Sequence, residues 1–167
     1  MELGIRVLQG QDGHTAGREL LAEIYKKLTG QTPPPIETTP RGKPYFVDSP
    51  WHFSISHTKN HVFCCLSQKP IGIDAEEANR IVDPRLAQRY LSAMEQTHLA
   101  NAPDRNAALL RLWVLKEAYA KLTGQGIGNY LKNTDFDPND SRILEMDGCV
   151  VAILEGESPC SSTPTPT

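Results

Sequence analysis

The sequence predicts an α+β protein, and three observations carry that prediction. Apolar and polar residues alternate at Leu3, Ile5 and Val7 and again at Trp51, Phe53 and Ile55, which is the period-two signature of half-buried strands. Two long stretches, 13–29 and 105–123, read instead as helices closed by Gly30 and Gly124. Strand-helix-strand order then recurs weakly in the two halves of the chain.

Taken in order, a short first strand over Leu3–Val7 leads to a helix whose apolar stripe is Ala16, Leu20, Leu21, Ile24, Tyr25 and Leu28, with Lys26 and Lys27 in its last turn. Pro33, Pro34, Pro35 and Pro40 argue against regular structure in the connector ending at Arg41-Gly42-Lys43-Pro44. A strand follows and ends at His57. After a turn near Lys59-Asn60, Val62-Phe63-Cys64-Cys65-Leu66 reads as a strand buried on both faces. Gln68-Lys69-Pro70 is a turn, and Ile71 to Glu76 is a strand with an acidic end. A short helix is expected from Asp83-Pro84 to Tyr90. Ser92 and Glu95 have capping-box spacing and open another, to about Ala100. Asp104 is the expected N-cap of the long helix. Asp147-Gly148, between Ile143–Met146 and Cys149–Leu154, gives a hairpin. The Ser, Thr and Pro content from Gly156 onward predicts disorder.

The 167 residues suffice for one compact domain or two small subdomains sharing a core. With 39% hydrophobic and 22% charged residues the composition is that of a soluble globular protein, and no apolar run approaches the ~20 residues of a spanning helix. The start, Met-Glu-Leu-Gly-Ile-Arg, lacks a basic segment followed by an apolar one, so a cytoplasmic protein is expected. Of the four cysteines, Cys64 and Cys65 are adjacent and Cys149 and Cys160 lie far off, which is neither a disulfide framework nor paired metal spacing. A net charge of −3 and a pI near 5.9 provide no basic field for nucleic acid. An anionic ligand would have to be held by local groups.

Several polar residues are candidates for that task, and each has a plainer reading. Glu117 and Lys121 stand one helical turn apart, the spacing of a surface ion pair contributing ~0.3–0.5 kcal/mol. Asp74 and Glu76 share a strand face and read as a solvated edge or as ligands of a hard cation. His57 is a capped turn histidine or a ligand, Lys43 a turn cation or a phosphate contact, and Glu95 is accounted for by its capping box. Together, three carboxylates for one divalent cation, with Lys43, His57 and Lys121 for a phosphate-rich ligand, suit phosphoryl transfer.

Four ordered motifs narrow the class. Gly42-Lys43-Pro44, Phe53-Ser54-Ile55-Ser56-His57-Thr58, Ile71-Gly72-Ile73-Asp74-Ala75-Glu76 and Trp113-Val114-Leu115-Lys116-Glu117-Ala118-Tyr119-Ala120-Lys121, followed by Gly124-Gln125-Gly126-Ile127, resemble those of the surfactin-type 4'-phosphopantetheinyl transferases. The resemblance runs from about Arg18 to Phe136. It implies two similar α/β subdomains related by a pseudo-two-fold axis, expected over 1–69 and 70–156 with a disordered tail at 157–167, and coenzyme A bound between them. It implies transfer of phosphopantetheine to a serine of an acyl or peptidyl carrier protein, with release of adenosine 3',5'-bisphosphate. In that scheme Asp74, Glu76 and Glu117 hold Mg²⁺, or Mn²⁺, and Lys121 contacts the pyrophosphate. Ser56, His57 and Lys43 meet coenzyme A phosphates; where this chain departs from the family pattern, Arg18 and Arg41 are the candidates to compensate at the adenosine end. Glu117 is the expected general base and Glu95 a second candidate. A monomer is expected. The rival is a paralogue that binds coenzyme A or a carrier without turnover. The Glu117 face of the long helix should point into the cleft, with Leu112, Leu115 and Leu122 anchoring it from behind.

Overall fold

The structure, a computed structural model, describes residues 1–157, so all but the first residue of the tail expected to be disordered lies outside the described residues. The strands are β1 (Glu2–Val7), β2 (Ile36–Thr38), β3 (Pro44–Phe46), β4 (His52–His57), β5 (His61–Ser67), β6 (Ile71–Glu77), β7 (Ile143–Met146) and β8 (Cys149–Glu155). The helices are α1 (Gly13–Thr29), α2 (Arg85–Tyr90), α3 (Ala93–Asn101) and α4 (Arg105–Thr123), with a 3₁₀ turn at Asn129–Asn133. This is the mixed α+β class the sequence predicts.

Local chemistry sets the helix ends. The Asp12 side chain accepts from Thr15 N at 2.8 Å and starts α1, and Gly30 ends it in the left-handed region at φ 73°. The long helix repeats the device, with Asp104 accepting from Ala107 N at 2.9 Å and Gly124 at φ 69°. Asp147 and Gly148, both at positive φ, make the tight turn between β7 and β8.

Two antiparallel three-stranded sheets result, in the orders β1-β5-β4 and β6-β8-β7. Apart from the β2-β3 hairpin in the first half and α2, α3 and the 3₁₀ turn in the second, each half runs strand, long helix, then two strands, and in each sheet the last strand lies between the other two. Side chains alternate across β5, so Val62, Cys64 and Leu66 meet Leu20, Leu21 and Ile24 of α1 while Phe63 and Cys65 meet Ile71, Ile73, Val151 and Ile153 of the second sheet. Beyond that sheet, α4 packs on β6 and β8, burying Leu112 and Leu115 completely. The layers therefore run α1, sheet, sheet, α4.

Two close approaches fix the middle of this stack. Gly72 of β6 lies against the α4 backbone, where a Cβ would fall 2.1 Å from the Ala118 carbonyl oxygen. Between the sheets, Ser54 and Ser56 of β4 accept from the backbone N–H groups of Ile73 and Ala75 of β6, each at 3.1 Å. Two hydroxyls thus continue the hydrogen bonding where no strand pairing does.

The proline-rich connector is more ordered than its composition suggests. It folds into the two-stranded hairpin β2-β3, in which Thr38 faces Pro44. Pro44 fits because it opens an edge strand, where a missing donor is tolerated. The 3₁₀ turn likewise lay beyond the periodicity argument, since it spans only five residues. Among the described residues no helix is long and apolar enough to cross a membrane.

Candidate active-site cleft

Five elements converge on one cleft of about 530 Å³. Strand β6 contributes Asp74 and Glu76, two residues apart on the face turned toward α4. From α4 come Glu117, Ala120 and Lys121, the inward edge of a helix whose other side is core. Strand β4 supplies Ser56 and His57, the hairpin supplies Arg41 and Lys43, and α1 supplies His14 and Arg18. One end of the cleft is therefore acidic and the other cationic.

At the acidic end, carboxylate oxygens of Asp74, Glu76 and Glu117 all lie within 4.8 Å of one another. Asp74 is nearly inaccessible, at 3% exposure. Its Oδ1 accepts from Lys121 Nζ at 2.7 Å and from the Ser56 hydroxyl at 3.1 Å, while its Oδ2 is buried without a hydrogen-bond partner among the described residues. A buried carboxylate oxygen left bare is costly unless something positive meets it. Burial raises the Asp74 pKa above the ordinary carboxylate range, opposed by Lys121 and Ser56. Burial, and then the neighbouring charge of Asp74, push Glu117 up to about 7. Oxygen-only donors crowded in this way fit a hard divalent cation such as Mg²⁺.

The cationic end is arranged around close backbone. His57 sits over the first turn of α1, where a Cβ on Gly13 would come within 2.7 Å of its ring. Lys43 Nζ reaches across to the Leu122 carbonyl at the end of α4, at 2.5 Å, a favourable seat for a cation. Partial burial lowers its pKa.

Asp74, Glu76, Glu117, Lys121, Lys43, Ser56 and His57 are thus brought together, along with Arg18 and Arg41. Glu95 is not. It is fully buried at the start of α3, with Oε2 accepting from Ser92 N at 2.8 Å and from Lys116 Nζ at 2.7 Å, and Oε1 from Phe136 N at 2.9 Å. Those partners use the carboxylate within the core, away from the cleft lining. Ser56 is also more engaged than a free phosphate contact, since it bonds Asp74, Lys121 and Ala75. Sequence reasoning missed His14 on the cleft wall and Arg80, which pairs with Glu76. His14 was foreshadowed only by its place at the start of α1, and Arg80 by its four-residue spacing from Glu76.

Fold and cleft define the class first: an α+β protein with a carboxylate trio and facing cations in a cleft built from both sheets and α4. Comparison with known proteins names the family. The profile of the 4'-phosphopantetheinyl transferase superfamily matches residues 70–160. A 4'-phosphopantetheinyl transferase of Bacillus pumilus is 35% identical over 151 residues, which is 89% of this chain and 61% of that protein. One from Aneurinibacillus migulanus is 33% identical over 62% of this chain and 44% of its own length. The HetI 4'-phosphopantetheinyl transferase of a Nostoc strain is 35% identical over 68% and 52%. The chain belongs to the 4'-phosphopantetheinyl transferase superfamily. These alignments span 44 to 61% of the relatives' own lengths.

Proposed function

We propose that the protein transfers the 4'-phosphopantetheine group of coenzyme A to a serine of an apo acyl or peptidyl carrier protein. The observation that carries this reading is the bare, buried Oδ2 of Asp74 beside Glu76 and Glu117, in a cleft whose opposite end is cationic. In the reaction, the carrier serine oxygen forms a bond to the β-phosphorus of coenzyme A. The bond from that phosphorus to the oxygen of the departing adenosine 3',5'-bisphosphate breaks.

Asp74, Glu76 and Glu117 would hold Mg²⁺ or Mn²⁺, which supplies charge neutralisation at the pyrophosphate when bound. Lys121 stands beside these carboxylates and stabilises negative charge on the leaving group. Lys43, His57, Arg18 and Arg41 bind the remaining phosphates, and Ser56 orients Asp74 and Lys121. Glu117, which lines the cleft beside Asp74 and Glu76, takes the serine proton. Glu95 acts as a structural residue. The matching strand orders of the two sheets, each with a long helix between an Asp and a Gly cap, support two subdomains related by a pseudo-two-fold axis and meeting near residues 69–70. Both walls of the cleft come from one chain, which supports a monomer.

The test is incubation with coenzyme A, Mg²⁺ and a panel of apo carrier proteins, followed by mass measurement of the carriers. Gain of one phosphopantetheinyl group is expected, dependent on the divalent ion. Coenzyme A binding with no carrier modified, while another transferase modifies the same panel, would sink this reading in favour of a binding paralogue.

A further inference from the structure

The other face of β6 carries a second constellation. Asp74 and Glu76 turn toward α4, so Glu77, one residue on, turns toward the first sheet. There it meets His61, the first residue of β5, and Cys149, the first residue of β8. Cys149 Sγ lies 3.8 Å from His61 Nδ1 and 4.0 Å from a Glu77 carboxylate oxygen. One ligand atom from each of the three residues falls within a 4.8 Å span.

We propose that His61, Glu77 and Cys149 form a site for a borderline divalent transition metal, Zn²⁺ in the first place, separate from the carboxylate trio of the cleft. Three observations support it. First, ligands at ~2.0–2.3 Å around a tetrahedral ion stand roughly 3.6 Å apart, close to the separations found. Second, imidazole, thiolate and carboxylate together suit Zn²⁺, whereas Mg²⁺ takes oxygen donors. Third, a neighbour holds one of the ligand groups: Asn60 Nδ2 donates to the other Glu77 oxygen at 3.2 Å. Metal binding would release the Cys149 thiol proton to solvent and leave a fourth position for water. The ion would tie β5 of the first sheet to β6 and β8 of the second.

The test uses the full chain carrying Cys160→Ser, treated with chelator and then titrated with Co²⁺. A near-ultraviolet thiolate-to-cobalt band is expected, saturating at one equivalent, abolished by one equivalent of Zn²⁺ and unaffected by millimolar Mg²⁺. Asp74→Asn should keep the band, because the cleft donors are oxygens. Cys149→Ser should lose it, and His61→Asn, a substitution at a partly exposed position, should weaken Co²⁺ binding at least tenfold. With the metal, the protein should melt at a higher temperature than the chelated form, and Cys149→Ser should erase that difference. The site is overturned by a missing band in the folded parent, by a band that survives Cys149→Ser, or by a band lost in Asp74→Asn and kept in His61→Asn.

Discussion

Two lysine-carboxylate pairs lie five residues apart on α4, and they do opposite things. Lys116 and Glu95 are both wholly inaccessible, and every charged atom has work: the ammonium also donates to the Leu131 and Thr134 carbonyls, and both Glu95 oxygens accept backbone N–H bonds. Lys121 and Asp74 form the same kind of contact at the same 2.7 Å, yet the lysine is 34% exposed and one Asp74 oxygen is bare. A complete buried pair fixes α3, the 3₁₀ turn and α4 in one arrangement. An incomplete one leaves capacity for a ligand. The difference between structure and chemistry here is whether the hydrogen bonding closes.

Breaking the closed pair should have the largest effect on folding. Glu95→Ala strands the Lys116 ammonium in the core and should cost about 3–5 kcal/mol, read as a lowered denaturation midpoint. Lys121→Ala tests the open pair from the other side. Carrier modification should fall roughly 10²–10³-fold, while stability changes by less than about 1 kcal/mol, because the lysine is part-solvated and Asp74 can take a proton. A fold loss comparable to that of Glu95→Ala would erase the distinction.

The open site should also make the chelated protein sensitive to pH. The folded pKa of Glu117 is raised to about 7 from 4.5, so the folded state holds this proton more tightly than the unfolded chain does. Stability should therefore be greatest below about pH 4.5 with respect to this group and fall by on the order of 1–3 kcal/mol as pH rises through about 7. Asp74 shifts in the same direction. Chemical denaturation in chelator should show the decline, and millimolar Mg²⁺ at pH 8 should reverse it. The smallest effect belongs to Arg80, whose half-exposed side chain pairs with Glu76. Arg80→Ala should change stability by less than about 1 kcal/mol in a melting experiment.

Much of this was legible in the sequence because two periodicities do the placing. Asp74 and Glu76 had to share a strand face, and Glu117 and Lys121 a helix edge, whatever the rest of the fold. The cap residues Asp12, Asp104, Gly30 and Gly124 mark the helix ends without tertiary context. The capping box of Ser92 and Glu95 was legible too. What stayed hidden depends on partners distant in sequence. Nothing near Lys116 announces that it turns away from Glu117 to a carboxylate 21 positions earlier. The seam of Ser54 and Ser56 onto β6 is of the same kind, since a hydroxyl on a strand gives no sign of which backbone it will meet. The β2-β3 hairpin was obscured by prolines that forbid a central strand but tolerate an edge.

Lys43 and Lys121 already have partners, one on the carbonyl of Leu122 and the other on Asp74. On the function proposed above, occupation of the cleft would therefore exchange the partners of these two lysines. A divalent cation that displaces Lys121 from Asp74 frees an ammonium for a phosphate, and a phosphate that draws Lys121 away uncovers Asp74 for the cation. Each ligand would then prepare the seat of the other, and the two affinities are expected to rise together by the same factor.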